Sequence, residues 1–138
     1  MDVETSDMQQ RSVADMVLEF HQRFGCAINN TSETTNQMRA ALIREEAREV
    51  AEAAERAAQA LETGDLEHLA RELADLTYVT YGACVTVGID LDAAVAAVHE
   101  ANMSKLGPDG APVMRADGKV LKGPNYRPPD MSAAIRST

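Results

Sequence analysis

The chain has no tryptophan, two phenylalanines and three tyrosines in 138 residues, so aromatic packing contributes little and a strand-rich fold is disfavoured. Cysteine is equally scarce. Cys26 falls in an expected loop and Cys84 in an apolar helical run, which implies no disulfide framework, and neither stands with histidines at zinc-ligand spacing. Positive charge is also short, with 13 Lys and Arg against 22 Asp and Glu; the net charge of -9 argues against DNA or RNA held through its phosphates. No segment is apolar for long enough to span a bilayer, and the opening "MDVETSDMQQ" is too acidic and polar for a signal peptide. The expectation is a cytoplasmic protein with neither nucleic acid nor membrane as a partner.

What the chain does have is alanine, leucine, glutamate and valine, in a length that suits one domain, residues 1–138. Helix is favoured throughout the body, about 6–106. A first helix is expected from about Ser6 to Phe24, stopping at Gly25. A second, without Gly or Pro, is expected over about Thr34 to Glu62. It ends at "TGD", where Gly64 suits a left-handed cap and Asp65 can start the next helix. The third runs from about Leu66 to Val87, and the fourth from Asp90, its N-cap, to about Leu106. Four helices with short connections predict an all-α, four-helix-bundle-like domain. Beyond residue 106, "GPDGAP", "ADGK" and "GPNYRPPD" are too rich in Gly and Pro for regular elements. This irregular tail is basic: residues 103–138 carry 6 Lys and Arg against 3 acids, while residues 1–102 carry 7 against 19. It should lie along the bundle or stay mobile until something binds it.

The stretch "LIREEAREV" raises the question of where its glutamates point. At about 100° per residue, Met38, Leu42, Glu46, Glu49 and Ala53 share one arc of the second helix, with Glu45 and Glu52 at its border. On the third helix Leu69, Leu73, Leu76, Val79 and Ala83 define an apolar arc with Glu72 inside it and Asp75 at its edge. The short connection makes the two helices antiparallel neighbours and brings both acidic pairs to similar heights above the turn. Four carboxylates in low dielectric repel unless cations intervene or some are protonated. Oxygen ligands of this kind suit Mg²⁺, or Mn²⁺ in its place, with water and substrate phosphates completing the shell. The bland alternative is a solvated face, in which Arg48, Arg56 and Arg71 pair with nearby acids. A di-iron centre is disfavoured, because neither His68 nor His99 has a Glu three residues before it.

Glu46-x-x-Glu49, 22 intervening residues and Glu72-x-x-Asp75 resemble the E-x-x-E, spacer, E-x-x-D signature of the MazG-like, all-α nucleoside triphosphate pyrophosphohydrolases. "LEFHQRFG", "ANMSK" and "RADGKVLKGPNYRPPD" extend the likeness, over about Val17 to Asp130, to the small bacterial branch related to dimeric dUTPases. The resemblance implies Mg²⁺ held by Glu46, Glu49, Glu72 and Asp75, and cleavage of a nucleoside triphosphate, dUTP among the candidates, to monophosphate and pyrophosphate. Phosphoribosyl-ATP pyrophosphohydrolase shares the fold and is an alternative; a non-enzymatic helical interaction or nucleotide-binding protein is another.

Glu45, beside the ligand pair, is the candidate for orienting or deprotonating the attacking water, or else a solvated edge residue. Asn102 lies on the stripe Leu91, Val95, Val98, Asn102, where a buried amide needs a partner. The resemblance puts Asn102 and Lys105 in the substrate site; capping the bundle is the alternative. Arg115, Lys119 and Lys122 are candidates to close over the phosphates as a lid, and Tyr126 to stack on a base. The resemblance also offers Phe20 and His21 for the nucleobase pocket, although a histidine on an amphipathic helix is commonly a satisfied structural residue. Tyr78 and Tyr81 are left to packing. The Ala-rich surface of a second helix of about 43 Å predicts a homodimer or larger assembly.

Overall fold

In the computed structural model the described residues are 11–59 and 63–135. They form four helices and no strand, an all-α, bundle-like architecture. The helices are α1 (Val13–Phe24), α2 (Glu33–Gln59), α3 (Thr63–Val87) and α4 (Leu91–Met103). The chain divides into two compact units, Met1–Gly88 and Ile89–Thr138. The division falls before α4 rather than after it, because the tail hydrogen-bonds to the ends of α4.

In the first unit α2 and α3 pack against each other and α1 packs on α3. Ser12 caps α1, its Oγ accepting the Asp15 amide at 3.1 Å, and residues 11–12 are not helical. The helix therefore starts later than expected, and the part placed at residues 6–10 lies outside the described residues. Gly25 ends it as expected, at φ 68° and ψ 28°, where a side chain would be strained. The loop that follows is tied to the end of α3: Asn29 and Asn30 amides donate to the Val85 and Thr86 carbonyls, and the Thr86 hydroxyl donates to the Ala27 carbonyl.

Gly64 is not a left-handed cap. It lies in the first turn of α3 with Thr63 and Asp65, so "TGD" opens the third helix instead of closing the second. The fully buried apolar side chains are few and small, Val17, Ala53 and Ala57, and they are joined by buried His21, Arg39, Glu72 and Thr86. Of the expected α2 arc Ala53 is buried and Leu42, Glu46 and Glu49 are half-buried, while Met38 is 48% exposed. On α3 Leu73 is 46% exposed, and Gly82 and Thr86 take the buried positions in its place.

In the second unit Asp90 caps α4 as expected, its carboxylate accepting the Ala93 amide at 3.1 Å. Among the described residues the tail, to residue 135, forms no regular element; it is a chain of turns pinned to both ends of α4. The Asp90 amide donates to the Ala134 carbonyl, next to a bridge between Ile89 and Ile135. At the other end the Gly123 amide donates to the Lys105 carbonyl, and the Arg127 amide donates to the Ser104 hydroxyl. Between Lys105 and Gly123 "MRADGKV" makes a small hairpin, with Gly118 at φ 88° and a bridge between Met114 and Val120. The two cysteines are free thiols.

Candidate metal centre

Glu46 and Glu49 lie one turn apart on α2, and Glu72 and Asp75 one turn apart on α3. The packing of α2 on α3 brings one carboxylate oxygen from each of Glu46, Glu72 and Asp75 within 4.8 Å of one another. Glu49 lies against Glu46 and adds its charge. Partial burial first, and then the negative charges of Glu49, Asp75 and Glu72, push the Glu46 carboxyl above the ordinary carboxylate range. Glu72 is buried, and Oε2 of both Glu46 and Glu72 is enclosed without a hydrogen-bond partner. An enclosed carboxylate oxygen without a partner carries the full cost of its desolvation. A hard divalent cation among these four carboxylates would satisfy both orphaned oxygens, and an all-oxygen donor set fits Mg²⁺ or Mn²⁺.

Beside this cluster lies a cleft of about 240 Å³ lined by Arg48, Glu49, Glu52, Arg56, His68 and Glu72. Arg48 pairs with Glu52 at 2.9 Å. His68 Nδ1 lies 3.7 Å from Glu72 Oε1, and His68 Nε2 lies 3.3 Å from an Arg56 guanidinium nitrogen. Neither Arg56 nor His68 stood out as a site residue in the sequence. The available signal was His68 one helical turn before Glu72, a spacing that places two side chains together on a helix.

In the other direction along α2 and α3, His21 is buried and its Nδ1 lies 3.0 Å from the Ala27 carbonyl oxygen. A β-carbon at Gly82 would come within 3.1 Å of His21 Nε2 and 3.2 Å of Arg39 Nη1, so both side chains cross α3 where it has no side chain. Arg39 is buried with Nε unpartnered. Burial first, and then the Arg39 charge, push the His21 imidazole below its usual range, against the opposing bond to Ala27. Phe20 stacks on Phe24 with ring centroids 4.4 Å apart and meets Tyr78 edge-on at 5.7 Å, so Tyr78 belongs to a partly exposed aromatic cluster.

Glu45 is exposed on α2 beside Glu46, outside the group of mutually close carboxylates. Asn102 departs from its expected setting: its side chain is exposed, as are Val95 and Val98, and the buried residue of α4 is Ala101. The Leu91 to Asn102 stripe is therefore not the inner face of the second unit, and the amide needs no internal partner. Lys105 is half-buried. Arg115 is held by a two-point pair to Asp117, and Lys119 is exposed in the same hairpin. Lys122 Nζ lies 4.6 Å from the centroid of the Tyr126 ring, a cation–π contact that occupies one face of that ring.

An all-α chain built around an acidic centre on a helical hairpin defines the class. A model of the family described as phosphoribosyl-ATP pyrophosphohydrolase matches residues 17–102, more than half of the chain and all four carboxylates. The chain belongs to this family, within the all-α MazG-like superfamily, and is accordingly a pyrophosphohydrolase, an enzyme acting on phosphoanhydride bonds. No curated protein matches it significantly. The expected kinship with dimeric dUTPases rested on "LEFHQRFG", inside the matched residues, and on "ANMSK" and the tail, which extend past them; the match gives it no support. No helix of the described residues is long and apolar enough to cross a membrane.

Proposed function

We propose that the chain hydrolyses the bond between the α- and β-phosphates of a nucleoside triphosphate group, releasing pyrophosphate, with a divalent cation held by Glu46, Glu49, Glu72 and Asp75. The single observation carrying this reading is the pair of enclosed, unpartnered oxygens on Glu46 and Glu72 within the cluster that these two form with Asp75. When bound, Mg²⁺ supplies positive charge to the phosphate oxygens and makes water acidic enough to attack at neutral pH. Glu45, exposed at the edge of the cluster, orients that water and accepts its proton. The water oxygen bonds to the α-phosphorus, the bond to the bridging oxygen breaks, and pyrophosphate departs with the electron pair.

Phosphoribosyl-ATP is the substrate that the family match supports best. A second reading, a deoxynucleoside triphosphate such as dUTP, is supported by "ANMSK" and the basic tail, which extend past the matched residues. Pyrophosphate release across phosphoribosyl-ATP, dNTPs and NTPs with Mg²⁺ or Mn²⁺ tests both. Turnover of one class names the substrate. No turnover of any, or full activity in Asp75→Asn, would sink the proposal. A homodimer or larger assembly is part of the same reading, supported by the apolar side chains that this chain alone leaves exposed.

A further inference from the structure

The cleft between α2 and α3 holds a cation with no carboxylate partner among the described residues. Arg48 is engaged by Glu52, but Arg56 meets only His68. An arginine has donors and no acceptor, so the 3.3 Å contact requires His68 Nε2 to accept, which leaves the ring hydrogen on Nδ1, facing Glu72 Oε1 at 3.7 Å. Arg56 on α2 is thereby steadied against α3, with one of its five N–H groups engaged among the described residues. The cleft, of about 240 Å³, is continuous from Glu49 and Glu72 to Arg56 and His68. Glu49 and Arg56 are two helical turns apart, about 10 Å along the axis. Running the opposite way, the α2–α3 pair leads from the carboxylates to Arg39, Gly82 and the Phe20–Tyr78 contact. The two directions differ in chemistry: one presents, in an open cleft, a guanidinium without a carboxylate partner among the described residues, the other aromatic rings and a buried histidine.

We infer that Arg56, positioned by His68, is an anion subsite for the departing pyrophosphate, so that the phosphate chain runs from the carboxylate centre toward the Thr63 end of α3 and the nucleoside lies the other way. The planar guanidinium suits a phosphate oxygen pair, and with the four carboxylates neutralised by cations the cleft keeps one net positive charge from its arginines. This subsite rests on the pyrophosphohydrolase reading for its biological meaning, but it can be measured without turnover.

The test is calorimetric titration of the whole protein with inorganic pyrophosphate in the presence of Mg²⁺, with folding checked by circular dichroism. Arg56→Met is expected to weaken pyrophosphate binding about tenfold or more, Arg56→Lys to restore part of it, and Arg44→Met, on the exposed face of α2, to leave it unchanged. Unaltered binding in Arg56→Met, an equal loss in Arg44→Met, or no binding by the parent protein overturns the subsite. Turnover of the nucleotide panel with Arg56-independent pyrophosphate binding would leave the proposed reaction standing and remove this inference. Arg56-dependent binding without turnover would do the reverse.

Discussion

Glu72 is a carboxylate only 8% exposed, with one oxygen unpartnered and two other carboxylate oxygens within 4.8 Å. Such an arrangement costs stability in the metal-free chain and becomes favourable only when a cation is shared. Glu72→Gln keeps the shape and removes the charge. In the presence of a chelator it is expected to melt a few degrees above the parent, while kcat with Mg²⁺ falls by about 100-fold or more. Equal melting temperatures, measured by circular dichroism, would mean the carboxylate is not strained. His21 makes a second prediction. Its imidazole is pushed below the usual value of 6.5, so the neutral ring is the one the fold favours. The stability this contributes is present above pH 6.5 and is lost as pH falls through the lower folded value. The groups facing the ring are Arg39 of α2, the Gly82 position of α3, Phe20 of its own helix and the Ala27 carbonyl, which it shares with the Thr86 hydroxyl. Melting temperature should therefore drop more steeply with acid below pH 6.5 in the parent than in His21→Gln. Glu46, Glu49 and Glu72 stood out at this scale because each fell inside an apolar arc, and Asp75, at the edge of one, stood out only by its spacing from Glu72. Arg39 did not: it stands one residue beyond Met38, and a long basic side chain on a helix is ordinarily solvated. Its burial depends on Gly82, 43 positions away on another helix, leaving room for it.

At the scale of the element, helix existence and the pairing of α2 with α3 could be read from the sequence, and only some of the ends could. Gly25 and Asp90 act through their own backbone or side chain, so local chemistry suffices to place them, whereas Ser12 caps a helix whose start was expected near Ser6. "TGD" is ambiguous, because a glycine after a helix and a glycine in the first turn of the next are the same letters, and packing of α3 on α2 decides between them. The tail was illegible for a related reason. Its order comes from single backbone bonds to α4, which carry no periodicity. Gly123 is the tightest of these points: an added β-carbon would lie 2.7 Å from the Lys105 carbonyl oxygen and 2.8 Å from that of Leu106. Both obstacles are backbone and cannot swing aside, so Gly123→Ala is expected to cost about 1–3 kcal/mol, the usual range for overpacking. Thermal unfolding and faster amide exchange at residues 121–127 would register it. Asp90→Ala, which removes only the cap bond to Ala93, should cost about 1 kcal/mol and leave the tail's amides protected.

For the molecule as a whole, the balance of buried and exposed apolar surface is what sequence periodicity could not predict. The first unit buries Val17, Ala53 and Ala57 but leaves Met38, Leu66 and Leu73 each about half exposed. Apolar side chains open to water, Met38 and Leu73 among them although periodicity placed both on inner arcs, offer surface that a second copy of the same chain can cover, and closed two-fold pairing is the commonest way to do so. Sedimentation velocity is expected to return a mass at or above twice 14.9 kDa. Because the assembly would bind only the folded state, the melting temperature should also rise with protein concentration. Added Mg²⁺ should raise it independently, by an amount that grows as RT ln(1 + [Mg²⁺]/Kd), about 2.7 kcal/mol at one hundred times Kd. The two dependences separate cleanly. Asp75→Asn should abolish the response to Mg²⁺ and preserve the response to concentration, whereas a monomeric mass with a concentration-independent melt would place the exposed leucines in some role other than self-association.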